Sequence, residues 1–415
     1  MAMSSQLSGQ ALLDDLSKRA VKFFWEQSNP VTGLTKDRAS NFASPDTHNV
    51  ASIAATGYAL AAYAIGAHRG WLDRKLAIDR TKVTLDFLLT KALKDHGWYV
   101  HFVDWSNGSR VWNSEVSSID TSIMVAGAIV NEEEFNDKEI TAKTDQIIKN
   151  IDWKWLLDDG GETPNSLLLS MGFGAEQKFI KSRWDQLSEE LMLYVQGLGA
   201  SPDLTYASWV SIGRPIITYD GRQEVQGGPL FMHEMSQEFL PLYGKRDGIG
   251  FDYSVESRNA ILNDRAYCIA NPHHFTGYTQ NIWGLNASDY PGGYTAHGGP
   301  GWGDDDGTLT PTCAIASVQY TPEVGMASAN AFMEQYPKAY GVYGFSNAIN
   351  PGAKWIDPDV IGIDLGMMLL GIENARDGLP NNLSWKNAVI RKGFERAKFH
   401  SDESEGPFDK RLLVN

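Results

Sequence analysis

The chain has 415 residues, 42% of them apolar and 21% charged, with a formal net charge of −15. That balance describes a folded globular protein and excludes a disordered chain, and the negative charge argues against general binding to nucleic-acid backbones or anionic lipid. No stretch reaches the roughly 18 consecutive apolar residues of a membrane helix, and two cysteines, Cys268 and Cys313, cannot build a disulfide framework.

The opening residues, MAMSSQLSGQ, lack the basic-then-apolar plan of a secretory leader, and residues 1–9 are expected to be disordered or extraneous. Helical periodicity then recurs over Gly9–Gln27, Val50–Gly70, Asp73–Leu93, Ser117–Val130, Lys138–Trp155, Ser188–Leu198, Tyr253–Ala270, Pro322–Gln335, Pro358–Asp377 and Ser384–Lys398. Within the second, SIAATGYALAAYAIGA is so rich in Ala and Gly that it reads as a buried helix. Asp357 followed by Pro358 has the form of a cap with proline in the first turn, and Asp377-Gly378 that of a stop. Strands are expected to be short and few, around Trp98–Asp104 and Arg214–Tyr219. With no fixed repeat and no Pro/Ser linker, the chain reads as one all-α domain over 10–399, of about ten to twelve helices by this periodicity, followed by a tail at 400–415.

The longest interruption runs from Asn271 to Thr310. A loop of that length is uncommon in a compact domain unless it serves a function or is disordered. This one carries Phe275, Tyr278, Trp283, Tyr290, Tyr294 and Trp302, which is too aromatic for a solvated linker, and it is expected to pack over a site. The chain as a whole holds 13 Trp, 16 Tyr and 17 Phe, side chains that suit a large core or stacking against sugar rings.

Three apolar helices carry acids near their starts. Asp364 lies inside DVIGIDLGMMLLGI, Asp120 inside SSIDTSIMVAGAIV, and Glu189-Glu190 open SEELMLYVQGLG. Acids also favour first helical turns for the sake of the helix dipole, and a buried Asp364 could pair with Arg376. If the three ends gather at one mouth, however, the carboxylates share a cleft. A carboxylic acid whose pKa burial has raised, set opposite a carboxylate that activates water, is the equipment of glycoside hydrolysis.

Other chemistries find no support. His233-Glu234 lacks the second histidine of a zinc-protease helix, because position 237 is Gln, and His273-His274 are adjacent. Asp304-Asp305-Asp306-Gly307 lacks the spacing of an EF-hand and reads as a turn or a substrate-binding loop tip. Nucleophile-elbow, P-loop and dinucleotide signatures are missing. No metal and no cofactor are expected.

The motifs, in order, resemble the bacterial glycoamylase-like family, which is related to hydrolases of β-1,2-glucan and to the transglycosylase region of cyclic β-1,2-glucan synthases. The resemblance begins at TGLTKDRAS and VASIAATGYAL. It continues through RVWNSEVSSIDTSIMVAGA, SRWDQLSEELMLYVQGLGASP, GGPLFMHEMSQ, AYCIANPHHFTGYTQNIWGLNASD, DDGTLTPT, YGVYGFSNAIN and DPDVIGIDLGMMLLGIENARDGL. It implies a single (α/α)6 barrel with a cleft at one end, and metal-free, anomer-inverting hydrolysis of a glucan. It makes Glu189 the general acid, Asp364 the base side, and Asp120 an alternative base or an orienting residue. Arg38, Arg183, Trp184, Asp185, His233, Trp283 and Asp306 stand at positions that would bind sugar.

Three departures mark this chain. Leu365-Gly366-Met367 replaces the family's Q-G-P after the aspartate, and Ser188-Glu189-Glu190 replaces its N-E-A. The Asp-x-x-x-Asp-x-x-Glu segment of the related β-1,2-glucanases appears as Asn113, Ser117 and Asp120. The expected activity is hydrolysis of β-1,2-linked glucan or its oligosaccharides. The alternatives are transglycosylation and sugar binding by a degenerate site. The expected partner is an oligo- or polysaccharide, with the protein a monomer or weak oligomer. Its location would be periplasmic or secreted if a leader has been removed, and cytoplasmic otherwise.

Overall fold

A computed structural model describes residues 7–401. The ends expected to be disordered (1–9) and a tail (400–415) fall largely outside them. Among the described residues fifteen α-helices follow one another: α1 (Gly9–Glu26), α2 (Ile53–His68), α3 (Arg74–Thr90), α4 (Ser118–Phe135), α5 (Lys138–Asn150), α6 (Trp153–Leu157), α7 (Leu191–Ala200), α8 (Tyr206–Ser211), α9 (Phe231–Phe239), α10 (Tyr253–Ala270), α11 (Pro311–Ala316), α12 (Pro322–Gln335), α13 (Gly362–Asp377), α14 (Leu379–Lys386) and α15 (Ala388–Arg396). Strands occur only as two-stranded ribbons of two to four residues per strand among the described residues. The architecture is predominantly helical.

Two classes of helix emerge. Helices α2, α4, α7 and α13 are buried on nearly every face, as expected of sequences apolar all round. Helices α5 and α15 bury one stripe only, for example Ile140, Thr144, Ile147 and Ile148 in α5. The buried helices form a ring: α2 packs on α4, α4 on α7, α7 on α9, α9 on α13, and α13 returns to α2, with α11 lying against α13. Closest of all is the α2–α4 crossing, where a Cβ on Gly127 would lie 1.8 Å from the Gly57 carbonyl oxygen. Only glycine lets the two backbones meet there. The hydrophobic core is one connected cluster extending from Leu12 to Ala397.

Several boundaries differ from the sequence reading. The expected helix at Pro358–Asp377 begins instead with a strand, Asp359–Ile361, paired antiparallel to Arg38–Ser40, so Asp357-Pro358 is no helix cap. Asp364 is therefore the third residue of α13 and sits in its first turn; it is not deep in the helix. Gly378, at φ 73°, ends α13 as expected. Asn387 divides the last helix in two, its side chain accepting from Val389 N to cap α15. Asp152 likewise restarts the chain as α6. Helices α8, α9 and α11 were not anticipated. In α9, Phe231, Met235 and Phe239 keep a helical spacing, but over only nine residues, too short a span for periodicity alone to separate helix from strand; its polar residues His233, Glu234, Ser236, Gln237 and Glu238 are buried as well. The Asn271–Thr310 loop contains a hairpin, Ala287–Tyr290 with Gly293–Ala296. Cys268 and Cys313 are both free and buried.

Candidate active site

The ring of buried helices places its N-termini around one cavity of about 760 Å³, within the usual range for small-molecule sites. Ser52 and Ala54 reach it from the start of α2, Ile119, Asp120 and Ile123 from α4, Phe231 and Met235 from α9, and Ile363, Asp364 and Met367 from α13; Glu189 lines it just ahead of α7. Glu190 does not; it is 0% exposed and accepts from the Ser188 backbone N–H at 2.8 Å. Thus Glu189, Asp120 and Asp364, the three acids singled out in the sequence, meet in one place, together with Arg38.

Short strands aim these groups. Val116–Ser117 leads into α4, where Ser117 Oγ accepts from Asp120 N and donates to Asp120 Oδ2 at 2.5 Å. One hydroxyl thus caps the helix and fixes the carboxylate. Trp184, 6% exposed, supports the same turn by donating from Nε1 to Ser118 Oγ at 2.8 Å. His101 approaches from the other side, its Nε2 3.3 Å from Asp120 Oδ1 and its Nδ1 2.8 Å from Glu115 Oε1. Burial works against the imidazolium, but the charges of Asp120 and Glu115 prevail and hold the His101 pKa above its usual value. Among the described residues, His101, Glu115 and Asp120 are the group whose ligand atoms lie close enough, within 4.8 Å of one another, to hold a metal ion. In the structure the imidazole itself bridges the two acids.

Asp364 is 3% exposed and accepts two side-chain amides, Asn286 Nδ2 at 3.0 Å on one oxygen and Asn347 Nδ2 at 2.6 Å on the other. Burial pushes its pKa up to about 8. The charges of Asp289 and Asp37 add to that rise, while the Asn347 bond and the Arg38 charge oppose it. Burial likewise raises the Glu189 carboxyl, with Asp120 adding to the rise against the hydrogen bond from Ser188. Arg38, on the strand opposite Ile361, is clamped by Asp289 at 2.7 Å and Asp37 at 3.3 Å. The site therefore combines one fixed cation, two carboxyls pushed toward the neutral form, and Asp120 facing an imidazole whose pKa its neighbouring acids raise. Proton donation and proton acceptance near neutral pH are both within its means.

The other expected sugar-binding residues lie outside the cavity lining. Arg183 ties down the 157–170 segment through Asp159, Thr163 and the Leu168 carbonyl. Asp185 is exposed. His233 is buried against Glu256 at 2.8 Å. Trp283 is 0% exposed, so its ring is a core element with no free face for a sugar. Asp306, exposed, accepts from Thr308 N at 2.9 Å in its own turn. Sequence reasoning passed over His101, Asp37, His48, Asn286, Asn347 and Trp112. Asp37 and His101 carried a usable signal, the first as neighbour of Arg38 and the second inside an expected strand; the two asparagines carried none.

The family model described as "Putative glucoamylase" matches residues 181–387. An exo β-1,2-glucooligosaccharide sophorohydrolase (non-reducing end) of Parabacteroides distasonis is 27% identical over 95% of this chain, and the chain spans 59% of that relative's length. The crystal structure of a putative glucoamylase from Bacteroides uniformis superposes with a TM-score of 0.86 at 26% identity, over 96% of this chain and 99% of that one. An endo-β-1,2-glucanase from Chitinophaga pinensis, in complex with sophorotriose and glucose, shares the fold with a TM-score of 0.85 at 24% identity, over 95% and 99% of the two chains.

Proposed function

From a chain related to the glycoamylase-like family, we propose a glycoside hydrolase that cleaves β-1,2-linked glucan or its oligosaccharides by inverting acid/base chemistry in the cavity at the helix N-termini. The observation that carries this reading is the convergence of Glu189, Asp120 and Asp364 on that cavity from segments far apart in the chain. Its linkage specificity rests on the likeness to the sophorohydrolase. The five ring helices together with α11, which is wholly buried against α13, make six inner helices and fit an (α/α)6 barrel formed by one domain over residues 10–399. A polymeric substrate suits a periplasmic or secreted location.

In this mechanism Glu189, whose pKa burial raises, gives its proton to the glycosidic oxygen as the C1–O bond breaks. Water attacks C1 from the opposite face and gives up a proton to Asp364, whose two asparagine partners fix its orientation. Asp120, locked by Ser117 and His101, supplies a fixed negative charge that raises the Glu189 pKa. Arg38 orients sugar hydroxyls. One proton leaves Glu189 and one arrives on Asp364, so the site resets by exchange with solvent. No residue in this cycle requires a metal.

The test is to incubate the protein with linear and cyclic β-1,2-glucan, sophoro-oligosaccharides, starch, laminarin and cellulose, following products by chromatography and the first anomer by NMR. Cleavage confined to the β-1,2-linked members with an inverted anomer is expected, and Glu189→Gln should lower turnover by about 10²–10⁴-fold with an unchanged circular dichroism spectrum. Full activity in that variant would remove Glu189 from the mechanism. Products longer than the substrate would indicate transglycosylation.

A further inference from the structure

Residues that line the cavity differ widely in exposure. Asp364 is 3% and Asp120 7% exposed, Tyr294 51%, and Trp112 69%, although all four line the same space. The indole thus stands at the solvent end of the cavity whose inner end holds the carboxylates. Its backbone is unusual: Trp112 and Asn113 both take left-handed conformations, φ 54° and 50°, which cost a non-glycine residue energy and call for an explanation.

The turn that carries Trp112 is nevertheless firmly held. Val111 N donates to Phe102 O at 3.1 Å, Ser114 N to Val111 O at 3.0 Å and Ser114 Oγ to Phe102 O at 2.9 Å, while Arg110 grips the Ser114 carbonyl. Phe102 backs the indole edge to face, with centroids 5.2 Å apart, and itself stacks on His101 at 3.7 Å. Since His101 contacts Asp120, the ring is tied through packed groups to the acid end of the cavity. A side chain held this rigidly yet left uncovered has its free face prepared for a ligand.

We propose that Trp112 is the stacking platform for a glucosyl unit at the outer end of the cavity, engaging a part of the oligosaccharide away from the bond that is cleaved. The proposal rests on the hydrolase reading for its choice of sugar. The axial C–H groups of a pyranose present a flat, weakly apolar face that an indole ring covers well, and the ring's rigidity means little entropy is lost on binding. Binding energy gathered there is remote from the reacting centre, so it helps long substrates and offers nothing to those too short to reach it.

The experiment compares wild type, Trp112→Ala and Trp112→Phe on β-1,2-gluco-oligosaccharides of increasing length, with kcat and KM measured separately. Calorimetric binding of the longest oligosaccharide to Glu189→Gln, with and without Trp112→Ala, runs alongside. Trp112→Ala should raise the KM of the longest substrate relative to the shortest by roughly three- to tenfold, and Trp112→Phe should restore most of that. The exposed indole contributes little to the core, so the alanine variant is expected to fold. A long-to-short KM ratio equal to that of wild type, or equal losses at every length, overturns the platform. If wild type cleaves none of these sugars, the hydrolase reading fails. Calorimetry then still decides the platform: weaker gluco-oligosaccharide binding in Trp112→Ala supports it, and equal binding or none overturns it.

Discussion

Asp364 is where opposing forces are set most sharply against each other. Two amide donors favour its ionised form, yet burial beside Asp289 and Asp37 holds its pKa near 8. A base must be unprotonated to act, so kcat/KM should climb as pH rises through about 8. An acid must keep its proton, so ionisation of Glu189, whose pKa burial raises, should set the opposite limb of the profile. A pH–rate profile of the free enzyme checks this directly, and an acid limb near pH 4 would rule out Asp364 as the base. The sequence revealed this aspartate because a carboxylate inside an apolar run is out of place. It did not reveal Asn286 and Asn347, 78 and 17 residues away, since a single asparagine in a loop looks like any other.

At the scale of elements, the site depends on short strands that deliver helices at fixed angles and on glycines that let those helices meet. Val50–Ser52, Val116–Ser117 and Asp359–Ile361 each run straight into a buried helix, so the first turn of each is placed by strand pairing. Gly127 is the most constrained of the contacts between them: Gly127→Ala would drive a methyl into the Gly57 carbonyl. The expected loss is about 1–3 kcal/mol, readable as a lower midpoint in urea, while an unchanged midpoint would mean that α2 and α4 separate easily. Helical existence was legible wherever burial followed the 3.6 period, as in α10 and α12, whose bounds match the sequence reading. It was illegible in α9, whose apolar spacing at Phe231, Met235 and Phe239 spans only nine residues, too short a window for the period to decide.

For the whole molecule, the feature of most consequence is the number of acids inside. Glu234 and Glu238 on α9 and Asp264 on α10 are all nearly inaccessible, and neither oxygen of Glu234 has a hydrogen-bond partner among the described residues. Burial raises all three well above the usual carboxyl range, and the Asp264 charge pushes Glu234 further. A carboxyl whose folded pKa exceeds its unfolded value binds more protons when folded, so its contribution to stability falls as pH rises from about 4.5 toward the folded value. Glu234→Gln cannot titrate. Its melting temperature should gain on wild type progressively between pH 5 and 8, and a difference that is constant with pH would mean that folding does not raise the Glu234 pKa.

Read without its fold, the chain discloses the helical class, most helix positions, and the three acids that meet in the cavity. It could do so because side-chain periodicity and misplaced charge are local properties of a chain. Which acids face a common space, which aromatic rings keep an open face, and which neighbours set each pKa were decided by the tertiary structure alone. Trp283 and Trp112 illustrate the difference: both are tryptophans in segments free of helix, yet one is sealed in the core and the other stands at the cavity's outer end. Exposure and electrostatic environment depend on atoms brought together from distant parts of the chain, and only the closing of the helix ring brings them together.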